Sequence, residues 1–176
     1  MRFEISSVSE VPDRQALHDL LIDYYKVVLR KLELAGGPAN IDPELPIAGF
    51  WSNLHKVMPP TGRLMLVHDS DGRLVGCGTL QQARPDAGEM KRLFVRPEAN
   101  GHGLGQALVD ARMDAAREMG WTTLLVNAVK GNEDMLRIYR KLGFRSIPRY
   151  PECSDPIELA DHFDYMEVDL REAPRG

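Results

Sequence analysis

The stretch Val95–Leu108 constrains this chain more than any other. A strand-like run, Glu89–Val95, ends at Arg96-Pro97, and Asn100-Gly101-His102-Gly103-Leu104-Gly105-Gln106 then opens a helical pattern. The first turn of a helix presents N–H groups without intrahelical partners and carries about half a unit of positive charge. Glycines let such a backbone close around phosphate oxygens without Cβ clashes, so a pyrophosphate is the natural guest. Two other phosphate loops fail on residues. A P-loop needs Gly-Lys-Ser or Gly-Lys-Thr, whereas Gly105 is followed by Gln106-Ala107. A dinucleotide fingerprint counted from Gly101 needs a glycine where Gln106 stands, and an acid at the end of the next strand, where the chain has Asn127. A tight strand-to-helix turn alone does not require three alternating glycines.

The surrounding pattern is that of one mixed α/β domain spanning 1–176. A first strand, Arg2–Val8, precedes a long helix whose apolar stripe is Leu17, Leu20, Leu21, Tyr24, Val28 and Leu32, stopped by Gly36-Gly37-Pro38. A short helix is expected near Ile47–Val57. Asp71-Gly72 between Arg63–His68 and Leu74–Leu80 signals a hairpin. Gly76 and Gly78 inside its second strand suggest close approach by another group. After the glycine loop, a helix is expected to bury Leu104, Leu108, Ala111, Ala115 and Met119 and to end at Gly120. Thr122–Ala128 reads as a strand. Asn132 can cap a further helix, whose core face is expected to be Met135, Ile138 and Leu142. Phe144–Ile147 and His162–Leu170 supply two last strands, giving the order β-α-α-β-β-β-α-β-α-β-β.

Composition excludes several functions. The 176 residues carry 22 basic and 26 acidic side chains, a net charge of -4, so no overall basic footprint points to nucleic acid. No apolar run approaches a membrane span. Met1-Arg2-Phe3-Glu4 places an acid where a signal peptide is apolar, which predicts a cytoplasmic protein. Two cysteines, Cys77 and Cys153, and five scattered histidines predict no metal site.

The loop resembles the pyrophosphate loop of the GNAT superfamily of acyl-CoA N-acyltransferases, Gln/Arg-x-x-Gly-x-Gly/Ala, which falls here on Asn100-x-x-Gly103-x-Gly105. Asn100 departs from the family's Arg or Gln. Because the family grips the diphosphate mostly with main-chain amides, weaker cofactor binding is expected rather than none. A second motif agrees: Asn132, Tyr139 and Gly143-Phe144 follow the family's Asn, then Tyr seven residues on, then Gly-Phe. The run Gly76-Cys77-Gly78 with Glu89–Val95 is similar to a bacterial branch of acetyltransferases.

The resemblance implies a mostly antiparallel central sheet of about seven strands, flanked by about four helices, with the strands Glu89–Val95 and Thr122–Ala128 splayed apart. Acetyl-CoA is the implied co-substrate. Its pantetheine would pair with Leu93, Phe94 and Val95. Its diphosphate would lie on Asn100, Gly101, His102, Gly103, Leu104, Gly105 and Gln106, with Asn132 and Tyr139 reaching the arm. The main chain at Leu93–Val95 would also hold the thioester carbonyl. Glu89 is the expected base, directly or through water, and Tyr139 the acid that protonates the departing sulfur. Lys91 and Arg92 are expected to bind a substrate carboxylate. A regular strand would send them to opposite faces, and a bulge would break that parity. Tyr24, Tyr25, Trp51 and Tyr150 are expected acceptor walls. The acceptor is expected to be the amine of a small, amino-acid-like metabolite, and the protein a monomer or homodimer. A protein lysine or N-terminal acetyltransferase and a non-catalytic acyl-CoA-binding module are the alternatives.

Overall fold

A computed structural model describes residues 2–175. The first helix, α1 (Arg14–Leu34), starts at Asp13, whose carboxylate accepts from the Ala16 N–H at 2.9 Å. That cap is worth about 1 kcal/mol. Leu17, Leu20, Leu21 and Leu32 on the same helix are all at most 2% exposed. At about 1.5–3 kcal/mol each, their burial outweighs the cap in holding α1 on the sheet.

The seven strands are β1 (Phe3–Val8), β2 (Gly62–Asp69), β3 (Leu74–Arg84), β4 (Ala87–Val95), β5 (Thr123–Val129), β6 (Arg145–Ile147) and β7 (Phe163–Asp169). They form one sheet in the order β1-β2-β3-β4-β5-β7-β6. Every pairing is antiparallel except β4 with β5. The β2–β3 hairpin turns at Asp69–Arg73, where Gly72 has φ +77° and the Asp69 carboxylate accepts from the Asp71 and Arg73 amides.

Helix α1 and helix α2 (Glu44–Ser52) cover one face, in a core with Leu64, Leu66, Leu74 and Cys77. Helices α3 (Leu104–Glu118) and α4 (Glu133–Lys141) cover the other, with Leu80, Met90, Leu124 and Val126. The expected helix over Ile47–Val57 begins earlier and breaks, α2 giving way to a 3-10 turn at Leu54–Val57.

Two expected helix faces are corrected. On α3, Ala111 and Met119 are only partly buried, while Arg112 is fully buried. On α4, Leu136 and Tyr139 point into the core, and Met135 and Ile138 are only partly buried. A cavity wall and a packed core favour the same apolar side chains, so spacing alone cannot separate them.

Candidate active site

Strands β4 and β5 pair only over Ala87–Glu89 and Thr123–Leu125. Beyond that point they part, and a cavity of about 1040 Å³ opens between them. It is lined from the glycine loop through β4, the end of β5, α4, α1 and α2 to the segment 154–159.

A bulge in β4 determines which side chains face which way. Cys77 pairs with Phe94 and Thr79 with Lys91, so Gly78 alone opposes Arg92 and Leu93. Arg92 takes φ +53°, a left-handed conformation that costs a non-glycine residue about 1–3 kcal/mol. The extra residue flips the alternation. Met90, Leu93 and Val95 pack with the α3–α4 core, while Phe94 packs with the α1–α2 core. The guanidinium of Arg92 lies 5.2 Å from the ring of Phe50 on α2. Lys91 and Arg92 therefore reach the same cavity instead of opposite faces.

The bulge also turns two successive carbonyls the same way. The Lys91 carbonyl accepts from the Thr79 hydroxyl and the Arg112 guanidinium, each at 3.1 Å, and the Arg92 carbonyl accepts from the Cys77 thiol at 3.4 Å. In a trans peptide the N–H points opposite to the C=O. The amides of Arg92 and Leu93 consequently both face away from β3, toward the gap, as a pair of adjacent donors.

The glycine loop has the geometry of an anion cradle. Gly101 has φ +80° and Gly103, the N-cap of α3, has φ +73°. A Cβ built on Gly101, Gly103 or Gly105 meets no protein atom within 4 Å, so the loop's backbone is open on the ligand side. Together with the unpaired amides of the first turn of α3, this fits a diphosphate. Asn100, Gly101, Gly103, Leu104, Gly105 and Gln106 line the cavity, whereas His102 does not. Its ring turns back, with Nδ1 at 3.2 Å from the Ala99 carbonyl, and packs on Phe3.

The other expected residues divide. Leu93, Phe94, Val95, Asn132, Tyr139, Tyr24 and Tyr25 line the cavity, and Trp51, Tyr150 and Glu89 do not. Asn132 stands at the N-cap of α4 without a side-chain cap, its amide oxygen accepting instead from Lys31 at 3.0 Å. Trp51 sits under the Arg14 guanidinium and against Phe50. Tyr150 is buried and donates to Glu89 at 3.0 Å, and Gln81 donates to the other carboxylate oxygen at 3.3 Å. Glu89 itself is 1% exposed, behind the cavity wall.

Tyr139 is 4% exposed yet borders the cavity, and its hydroxyl makes no hydrogen bond among the described residues. Burial pushes its phenol above the ordinary value, with the Arg112 charge pulling in the opposite direction, so the proton stays on.

Asp155 was not foreseen. It lies in an irregular loop without periodicity, and only the structure brings it to the cavity. It accepts from Lys91 at 2.8 Å and from Asn127 at 2.5 Å, and Lys91 also donates to Ser154 at 3.0 Å. Burial raises the Asp155 carboxyl, but the Lys91 charge and these hydrogen bonds outweigh it and hold it below the usual carboxylate range. Burial pulls the Lys91 ammonium down, and Asp155 and Glu89 more than restore it, leaving it above its ordinary value. Stability from this pair is thus full between the ordinary aspartate and lysine ranges. It is lost as pH falls through the depressed Asp155 value or rises through the raised Lys91 value. Asp155→Asn is expected to cost about 1–3 kcal/mol at neutral pH. Thermal melts of the variant and the wild type should converge only once the pH has fallen below the depressed Asp155 value. A gap that persists there would mean the charge is not what Asp155 contributes.

No group of three or more His, Cys, Asp or Glu among the described residues could hold a metal, and no helix is long and apolar enough to cross a membrane.

The sequence profile of the Acetyltransferase (GNAT) family matches residues 15–144. The chain belongs to this family. The family is one of acetyltransferases. An uncharacterized N-acetyltransferase of Schizosaccharomyces pombe is 30% identical over 112 residues, covering 63% of this chain and 66%, just under two thirds, of that relative. An IAA acetyltransferase of Azospirillum brasilense is 33% identical over 109 residues, 61% of this chain and 71% of that one. The PaiA N-acetyltransferase of Thermoplasma acidophilum, solved with coenzyme A, shares the fold with a TM-score of 0.71 at 17% identity, over 96% of this chain and 99% of that one. The GNAT acetyltransferase thus has the sheet and parted strands that its sequence implied.

Proposed function

We propose that this GNAT acetyltransferase passes the acetyl group of acetyl-CoA to the α-amine of a small amino-acid-like acceptor, by direct attack on the thioester. The observation that carries this reading is Arg92. Its Nε donates to the Tyr25 hydroxyl at 3.2 Å, its terminal nitrogens donate to no protein atom among the described residues, and the residue lines the cavity. A guanidinium presented this way suits a carboxylate, gripped by two parallel hydrogen bonds. Lys91, expected to share that task, is instead engaged by Asp155, Ser154 and Glu89.

The proton chemistry favours an α-amine over a lysine side chain. Glu89 is hydrogen-bonded behind the wall, and Asp155 is already neutralised, so neither is an unengaged base at the cavity surface. The α-amine of a free amino acid is more basic than a peptide N-terminus, at about 7.7–8.0, because of its own carboxylate. It is less basic than a lysine side chain at about 10.4, so it is the easier of the two amino-acid amines to deprotonate near neutral pH. Glu89 then serves as the inner member of a water-linked path. The Arg92 and Leu93 amides hold the thioester carbonyl and the charge that grows on its oxygen, and Tyr139 hands a proton to the sulfur.

CoA release measured over a panel of amines tests this. Arg92→Gln is expected to raise KM for an α-amino acid by about 10–100-fold, the loss of a charged hydrogen-bond pair. KM for the matching decarboxylated amine should hardly change. An equal effect on both amines, or turnover confined to lysine-containing peptides, would refute the assignment.

A further inference from the structure

Arg112 is fully buried in the middle of α3, in a position the helix would otherwise fill with an apolar side chain. Its Nε donates to the Leu108 carbonyl at 3.0 Å, and Nη1 donates to the Thr79 and Lys91 carbonyls at 3.3 and 3.1 Å. Among the described residues it has no carboxylate partner, and Nη2 has no hydrogen-bond partner. Burial lowers its pKa. For stability this is a poor choice. An unsatisfied buried charged donor costs about 1–3 kcal/mol or more, and an apolar side chain of similar size is often neutral or better.

The fold nonetheless makes room for it. A Cβ on Gly78 would stand 3.0 Å from the Arg112 Nε and 3.2 Å from its Cζ, so this glycine of β3 is the space the guanidinium occupies. Gly78 is also the single residue opposite the two bulged residues of β4. The guanidinium thus sits behind the bulge and holds the Lys91 carbonyl from the α3 side, while the Thr79 hydroxyl holds the same oxygen from β3. Because the Lys91 carbonyl and the Arg92 amide belong to one rigid peptide, fixing the first aims the second.

We propose that Arg112 is a positioning residue for acyl transfer: from inside the core it locks the bulged peptide of β4, so that the Arg92 and Leu93 amides stay aimed at the thioester carbonyl. This rests on those amides being the carbonyl's donors. Donors act in proportion to their preorganisation, since a peptide that must reorient during the reaction loses that advantage. A helix side chain that bridges two strands supplies the rigidity, and its charge polarises the peptide it holds.

The test uses Arg112→Met and Thr79→Val, with wild-type enzyme loaded with acetyl-CoA labelled with carbon-13 at the carbonyl. In the wild type, hydrogen bonding to the two amides should move the bound carbonyl resonance downfield of free acetyl-CoA. In Arg112→Met the displacement should shrink by at least half and kcat should fall about tenfold, less than the 10²–10³ of removing a donor outright. KM for acetyl-CoA should stay within about twofold, and the melting temperature should be unchanged or higher. Thr79→Val, which removes the other donor to the same carbonyl without touching the charge, should move the resonance and kcat the same way. Wild-type displacement with no change in either variant would overturn the proposal, as would a kcat loss matched by equal losses of affinity and melting temperature. If the wild-type resonance is not displaced at all, the amides are not the donors and the underlying reading fails instead.

Discussion

Gly103→Val should reduce acetyl-CoA affinity by more than about 100-fold while leaving the fold intact. Two effects combine. The residue has φ +73°, where a β-branched side chain is strained by about 1–2 kcal/mol. Relieving that strain would rotate the first amides of α3 away from the diphosphate. The added side chain would also project where no protein atom lies within 4 Å, the space the phosphate oxygens need. Losing two charge-assisted hydrogen bonds, at about 1.5–3 kcal/mol each, corresponds to a factor of more than about 100. Gly120, just past the other end of α3, is a built-in control. It has φ +78° and equally open surroundings, so Gly120→Val carries the same strain away from the cradle. Calorimetric titration should find Gly120→Val binding as the wild type does and Gly103→Val barely binding. Equal affinities in the two variants would remove the loop from the cofactor site.

Tyr139→Phe should lower kcat by about 100-fold with acetyl-CoA affinity within about twofold. The phenol is buried at the cavity edge and its pKa is raised by that burial, so it keeps its proton throughout the neutral range. Its hydroxyl is engaged by no protein group among the described residues, which leaves it free for a ligand and makes its removal cheap for stability. The aromatic contact with Phe144, with centroids 5.2 Å apart, survives the substitution. General acid catalysis by one group is worth about 10²–10⁴ in rate. Single-turnover kinetics should therefore show slow chemistry with normal binding. Wild-type rates in the variant would assign the thiolate's proton to water and leave Tyr139 a packing residue.

Much of this was legible in the sequence because it depends on local chemistry. The glycine loop, the Asp71-Gly72 hairpin and the order of elements each follow from backbone needs that few residues can meet. Gly76 and Gly78 also announced themselves. A Cβ on the first would lie 2.9 Å from the Phe94 carbonyl, and one on the second would strike Arg112. What stayed hidden depends on tertiary register. Nothing in Lys91-Arg92-Leu93 signals a left-handed Arg92, since the bulge is set by the pairing of β3 with β4. Arg112 lies four residues after Leu108 on the buried stripe of α3, but its charge gives no sign in the sequence that it is taken into the core. Met135 and Ile138 read as core because a cavity that takes an apolar arm has an apolar wall. Asp155 reaches the site through a loop held in part by Arg149, which donates to the Cys153 and Asp155 carbonyls, and no periodicity marks such a segment.

Acetyl-CoA is expected to thread the parted strands, gripped by its diphosphate at α3 and by its carbonyl at the bulge, and a crystal structure of the complex would show whether it does. The diphosphate is expected on the amides of Gly103–Gln106, and the thioester oxygen about 3 Å from the Arg92 or Leu93 nitrogen. Coenzyme A found outside the β4–β5 gap, or with its carbonyl turned away from the bulge, would contradict the account.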